Sequence, residues 1–261
     1  MTLTKHELKQ GWKALAIWTV SIAFFIVICV LLYPEMKGEM EGVSDIFASM
    51  GAFTAAFGMD RLNFGTLIGF YSVECGNILG LGGAFFASFV AVGVLAKEEK
   101  ERTAEFLLTH PVSRSRVVSE KLISVLIQIV ILNAIIFALS VASIKGIGEE
   151  IMWKDISLIH LAFFLVQLEL AGICFGISAF IRKSGIGIGL GIATAMYFLN
   201  IVANISESAE FLKYITPFGY AESADIVENG CLDGKMILIG MAVAVICVVL
   251  GYWKYCRKDI Q

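Results

Sequence analysis

Charge, proline and histidine are all scarce in this chain. Asp, Glu, Lys and Arg make up 16% of its 261 residues, against about 25% in an ordinary soluble domain. With a net charge of -3, this excludes a large soluble domain and a basic surface for nucleic acid. The three prolines, Pro34, Pro111 and Pro217, leave long stretches in which helices can run unbroken. The three histidines, His6, His110 and His160, have no metal-ligand spacing, so no metal site is expected. The six cysteines include no CxxC pair. Cys29, Cys174 and Cys247 fall within apolar runs, so free thiols acting as small hydrophobes are expected, with Cys75 and Cys231 the one pair that depth would allow to meet. A GxxxxGK[ST] loop is missing too: the nearest fragment, Asp233-Gly234-Lys235-Met236, cannot cradle nucleotide phosphates.

What the chain does have is hydrophobic sequence: 58% of its residues and a mean hydropathy of +0.82. A membrane crossing takes about 20 mostly apolar residues. Six segments qualify, Ala14–Tyr33, Gly69–Ala96, Val117–Ser143, Ile156–Ile181, Gly185–Ile205 and Met236–Cys256. The expected fold class is therefore an all-α integral membrane protein with six transmembrane helices, residues 1–261 forming one transmembrane domain. Leu31-Leu32-Tyr33-Pro34-Glu35 offers no small-residue cleavage site, so the first span is expected to be retained. Fourteen of the 20 Lys and Arg residues fall on the side that holds both ends of the chain, which predicts cytoplasmic termini.

Leu8, Trp12 and Leu15 recur at helical spacing between lysines, which predicts an interfacial helix over Leu3–Trp18 that turns into the first span. Ile46–Met59 (IFASMGAFTAAFGM) is too short to span and is expected to form a short helix on the outer surface or dipping part way in. Between the last two spans, ITPFGYAESADIVENG predicts a break at Pro217, a helix over Ala221–Glu228 and a stop at Gly230. GIGIGLG at Gly185–Gly191 opens an apolar span without a preceding strand, so it reads as a packing surface rather than a nucleotide loop. Gly187 and Gly191 give a GxxxG face, and Gly76, Gly80 and Gly83 invite the same reading.

Two carboxylates lie in apolar sequence. Glu169, in VQLELAG, sits near the centre of the fourth span, where a charge costs about 2.5–3.5 kcal/mol on insertion scales. It either lines a translocation path or fixes helix packing through hydrogen bonds. Glu74 is a weaker candidate for the same path, because Cys75–Ala96 could span alone. Gln128, Asn133, Gln167, Asn200 and Asn204 are expected to bond between helices.

Between spans two and three runs EEKERTAEFLLTHPVSRSR, from Glu98 to Arg116. It can form about three helical turns before Pro111 stops it. Thr103, Phe106, Leu107 and His110 share one side, Leu107 and Leu108 adjoin a second, and Glu101, Arg102 and Glu105 face away. An apolar ridge on a charged helix suits a groove on a second protein.

This stretch resembles the cytoplasmic loop of type-2 exporter permeases of ATP-binding-cassette transporters. The matching residues are Glu98 or Glu99, Thr103, Glu105, Leu107, Leu108, Pro111 and Arg114, and the chain departs at Arg102, where many members carry Gly. ITPFGYAESADIVENG is similar to the outer Pro-Phe segment of the same permeases, and the six-span layout agrees along the whole chain. The resemblance implies a multi-pass permease of a prokaryotic plasma membrane, non-catalytic itself, with a coupling helix that docks into a separate ATPase subunit holding ATP and Mg. It implies two ATPase copies and a second permease copy or similar chain. Drugs, antimicrobial peptides, lipid-like molecules and ions are all compatible substrates.

Two other classes fit the sequence less well. The adjacent Glu98 and Glu99, with Phe106 and His110, resemble the EExxxR and FxxxH motifs of intramembrane CAAX-type proteases. However, the Arg position falls on Thr103 or Ala104, both motifs abut in one loop, and Phe164 stands where His160 would need a following Asn. A channel or secondary transporter would call for broken helices in matching halves, and none is evident in the sequence.

Overall fold

A computed structural model describes residues 2–97, 113–181 and 185–257, and all regular elements among them are helical. Six helices are long and apolar enough to cross a membrane. The first, α1, runs without interruption from Thr2 to Ser49, with Pro34 inside it. Its 48 residues span roughly 70 Å at about 1.5 Å per residue, more than twice a hydrocarbon core of about 30 Å. The expected turn between an interfacial segment and the first span is therefore replaced by one straight-through helix. No proline stands before Pro34 to force a bend, and the first turn is fixed to a neighbouring helix, as described below.

A short helix, α2 (Ala52–Ala56), follows α1. Its buried Thr54 and Ala56 pack towards the fifth span, and the helix expected over Ile46–Met59 is divided, its first residues continuing α1 to Ser49 and its middle forming α2. The second span, α3 (Leu67–Val92), opens with the Thr66 hydroxyl accepting from the Gly69 N–H over 3.2 Å. One π-helical turn, Tyr71–Cys75, interrupts it. Four more helices follow: α4 (Arg114–Gly146), α5 (Trp153–Ser178), α6 (Ile186–Ile205) and α8 (Gly234–Arg257).

Between α6 and α8 the chain forms 3₁₀ turns at Glu207–Tyr214 and Gly219–Ala221, then the short helix α7 (Ser223–Asn229). Gly230 ends α7 in the left-handed region, at φ 61° and ψ 24°, where glycine has no Cβ to clash. Pro217 separates the two 3₁₀ turns, and Phe218 is buried. The Pro-Phe segment thus folds back against the bundle: the Thr216 hydroxyl donates to the Met196 carbonyl of α6 over 2.7 Å, and the rings of Tyr197 and Phe218 meet edge-on at 5.4 Å.

The bundle is built around α3 and α5, the two most buried spans. α5 contacts α3 on one flank and α8 on another, α6 lies along α3, and α1 packs on α4 and α3. Close approach depends on missing side chains. A Cβ at Gly172 of α5 would stand 2.8 Å from the Ala244 Cβ of α8, and one at Gly176 would collide with the Cys247 carbonyl oxygen. Gly251 of α8 faces Gly176 in turn, so the α5–α8 seam is a small-residue contact of the kind that drives helix association in lipid. All six cysteines are free, Cys75 being buried and Cys231 exposed.

Candidate functional site

At the cytoplasmic end implied by the charge pattern, charged residues tie three helices together. Lys121 of α4 is fully buried at 0% exposure. Its ammonium donates to the Val94 carbonyl over 2.6 Å and to Glu7 Oε1 of α1 over 3.2 Å. Glu7 Oε2 accepts from Lys97 over 2.9 Å, and Lys97 also donates to Gln10. Nearby, Glu120 Oε2 of α4 accepts from the Leu3 and Thr4 N–H groups over 2.9 and 3.1 Å. This satisfies two donors that the first turn of any helix leaves open, and it brings a negative charge to the positive end of α1. Glu120 Oε1 pairs with Arg116 at 2.9 Å.

Residues 98–112 connect this base to itself. Glu98, Glu99, Arg102, Thr103, Glu105, Phe106, Leu107, Leu108 and Pro111, the residues expected to form the coupling helix, lie outside the described residues. Both flanks are anchored. Lys97, before the stretch, is held by Glu7. Ser113, after it, caps α4 by accepting from the Arg116 N–H over 3.4 Å, while the Tyr252 hydroxyl of α8 donates to the Ser115 carbonyl over 3.0 Å. Arg114 is the first residue of α4.

Within the membrane, Glu169 is 4% exposed. The Tyr220 hydroxyl, from the outer 3₁₀ turn, donates to its Oε2 over 3.0 Å, and that carboxylate fills the space left by the missing side chain of Gly240 on α8. Glu74 sits half-buried in the π turn of α3. Asn133 of α4 and Gln167 of α5 form a reciprocal amide pair at 2.7 and 3.2 Å, with Gln167 lying over Gly83 of α3. His160 Nε2 meets the Tyr71 hydroxyl at 2.7 Å.

At the end that the charge pattern implies is the outer one, Glu222 is buried beneath the turn that precedes α7. Its Oε2 accepts from the side-chain amides of Asn204 at 2.7 Å and Asn200 at 3.2 Å, and burial pushes the carboxyl above its ordinary range. The same Asn204 amide reaches the Ala56 carbonyl of α2 at 3.4 Å. Arg61 pairs with Asp225 at 2.5 Å and with Glu228 at 3.5 Å.

A family model of the ABC-2 family transporter proteins matches residues 1–260. The chain belongs to the ABC-2 transporter family. No curated protein matches it. As a member of this family it is a membrane-spanning permease of an ATP-binding-cassette transporter, a transport component that works with an ABC ATPase subunit.

The permease's sequence-predicted positions fall into separate groups. Gly76 and Gly80 lie against Phe163 of α5, with Ser223 also close to Gly76, whereas Gly187 and Gly191 face open space within the chain. Glu169 and Glu74 occupy different surroundings, the first enclosed by Tyr220 and Gly240. Several structural residues were not singled out from the sequence. Glu7, Glu120 and Lys121 sit at the ends of apolar runs, where charge is first read as topology. Gly172 and Gly176 do carry a legible signal, the GxxxG spacing in LAGICFG.

Proposed function

We propose that this chain is the permease subunit of an ATP-driven exporter, and that residues 98–111 form the helix through which a separate ATPase moves it. The observation that carries this reading is the family match along residues 1–260. The anchored flanks support the coupling role: a segment held by Lys97–Glu7 on one side and the capped start of α4 on the other transmits a push directly to α1, α3 and α4. Both termini face the cytoplasm of a prokaryotic cell. Two copies, or one copy and a similar permease, enclose the path, and two ATPase subunits beneath bind ATP and Mg. The enclosure of Glu169 by Tyr220 and Gly240 favours a packing role for this carboxylate over a place on the path.

Co-purification from membranes tests the coupling helix. Wild-type permease is expected to retain its ATPase, and Leu108→Arg, which places a charge on the apolar ridge, is expected to lose it without losing the permease itself. Equal retention by the variant refutes docking through this ridge. If neither form retains any ATPase with Walker motifs, the ATP-driven reading itself fails.

A further inference from the structure

Under the outer turns lies a cavity of about 30 Å³, enclosed by α3, α6 and the segment that leads into α7. That is room for roughly two water-sized occupants. Its polar lining is oxygen-rich: Glu222, Asn200, Asn77, Ser72, Ser223 and Tyr197.

Two features of this lining are unbalanced. The first is Asn200, 7% exposed, whose Oδ1 accepts no hydrogen bond among the described residues. Its amide nitrogen donates to the Glu222 carboxylate, and this leaves the oxygen as the unsatisfied end. A buried acceptor left unpaired is costly, so a donor or a cation is called for. The second is Glu222 itself. Its hydrogen-bond donors are neutral amides, and among the described residues no cationic side chain lies within ion-pair contact of it: Arg61 acts on it from a distance and makes its close pairs with Asp225 and Glu228. Buried charges are ordinarily paired or bound to a cation.

We propose that this cavity binds a small monovalent cation of sodium's size, held by the Glu222 carboxylate and the Asn200 side-chain oxygen, as a fixed constituent of the outer cap. A divalent ion does not suit the site: calcium takes 6–8 oxygens, and magnesium demands a near-ideal octahedron and usually keeps several waters, whereas this space of about 30 Å³ has room for roughly two water-sized occupants. One negative charge matches one positive charge. Neutral amide and hydroxyl oxygens complete the shell, as hard cations prefer. The bound ion joins α6 to the re-entrant segment and so holds the cap on the bundle. This inference concerns a resident ion and is independent of what the permease exports.

The test uses the full-length permease in detergent or nanodiscs, at constant ionic strength, with sodium chloride replaced by choline chloride. Wild type is expected to melt at a higher temperature as sodium rises, and to bind radiolabelled sodium saturably. Asn200→Ala and Glu222→Gln are each expected to lose both effects while remaining monodisperse. If Glu222→Gln fails to fold, Asn200→Ala decides the outcome alone. The proposal is overturned if wild type shows no sodium-specific stabilisation or binding, which would mean that the cavity holds only water over a protonated Glu222. It is equally overturned if both effects persist in the variants, which would place the ion elsewhere.

Discussion

The Tyr220 hydroxyl donates to Glu169 Oε2 across 3.0 Å, joining the 3₁₀ turn between α6 and α8 to a carboxylate within α5. Tyr220→Phe removes this donor and leaves the buried acceptor without it. Interhelical bonds in membranes are worth about 0.6 kcal/mol on average and up to about 1.7 kcal/mol, so a loss of about 1 kcal/mol is expected, read as a lower melting temperature of the purified permease. Glu169→Gln keeps an acceptor for Tyr220 and is expected to melt within a degree or so of wild type and to transport normally. Loss of transport in a stable Glu169→Gln permease would return this residue to the translocation path.

Gly176 tests the α5–α8 seam. Even a methyl group there would strike the Cys247 carbonyl, a backbone atom that can give way only if α8 moves. Gly176→Ala is expected to cost about 1–3 kcal/mol, the usual penalty of overpacking, and Gly176→Leu to prevent assembly of a monodisperse permease. Gly187→Ala and Gly191→Ala are the matched controls: nothing stands within 4 Å of either added Cβ, so the stability of the single chain is expected to hold. Similar melting temperatures for Gly176→Ala and Gly187→Ala would contradict the packing described for this seam.

The charged cluster of Glu7, Lys97 and Lys121 makes a sharper demand. Glu7→Gln removes the negative charge that faces the fully buried Lys121. Breaking one side of a buried pair costs on the order of 3–5 kcal/mol, so the variant is expected to lose most of its folded yield. Adding Lys121→Met removes the buried positive charge, keeps an apolar stem of similar length, and should recover much of that loss. No recovery in the double variant would show that the pair matters for something other than charge balance.

Glu222 supplies a pH signature. It is faced by the amides of Asn200 and Asn204, with Asp225 and Arg61 as the nearby charges, and burial raises its carboxyl above the ordinary range. The folded state then holds this proton to higher pH than the unfolded state does. The resulting stability is full below the unfolded value of about 4.3 and declines as pH rises through the folded value. Thermal melts in choline buffer are expected to show this decline in wild type and to lose it in Glu222→Gln. A slope unchanged by the substitution would assign it to another group.

The spans were legible because apolar length is a one-dimensional property, and a run such as Gly185–Ile205 has few alternatives to crossing the membrane. Punctuation was legible for the same reason: Pro217 and Gly230 act within a few residues, and α7 ends at Gly230 as its left-handed backbone requires. The partners of the polar residues were not. That Glu222 would meet Asn200 and Asn204, or Glu169 meet Tyr220, depends on how a returning loop docks, which periodicity does not encode. The continuity of α1 was hidden by its mixed character, since a charged flank and an apolar span read as two segments although nothing between them breaks the helix. In the coupling stretch, the apolar ridge is a property of the sequence pattern, whereas the anchoring of its flanks, Lys97 and Ser113, is a property of the fold.

The bond between Glu120 and the first turn of α1 also sets an order of assembly. The Thr4 N–H and its acceptor are 116 residues apart, so when α1 first enters the membrane its leading turn still lacks this cap. Only after α4 has been made can Glu120 reach back and close it. A nascent permease halted before α4 therefore lacks this cap, and its closure reports that the first half of the bundle has come together.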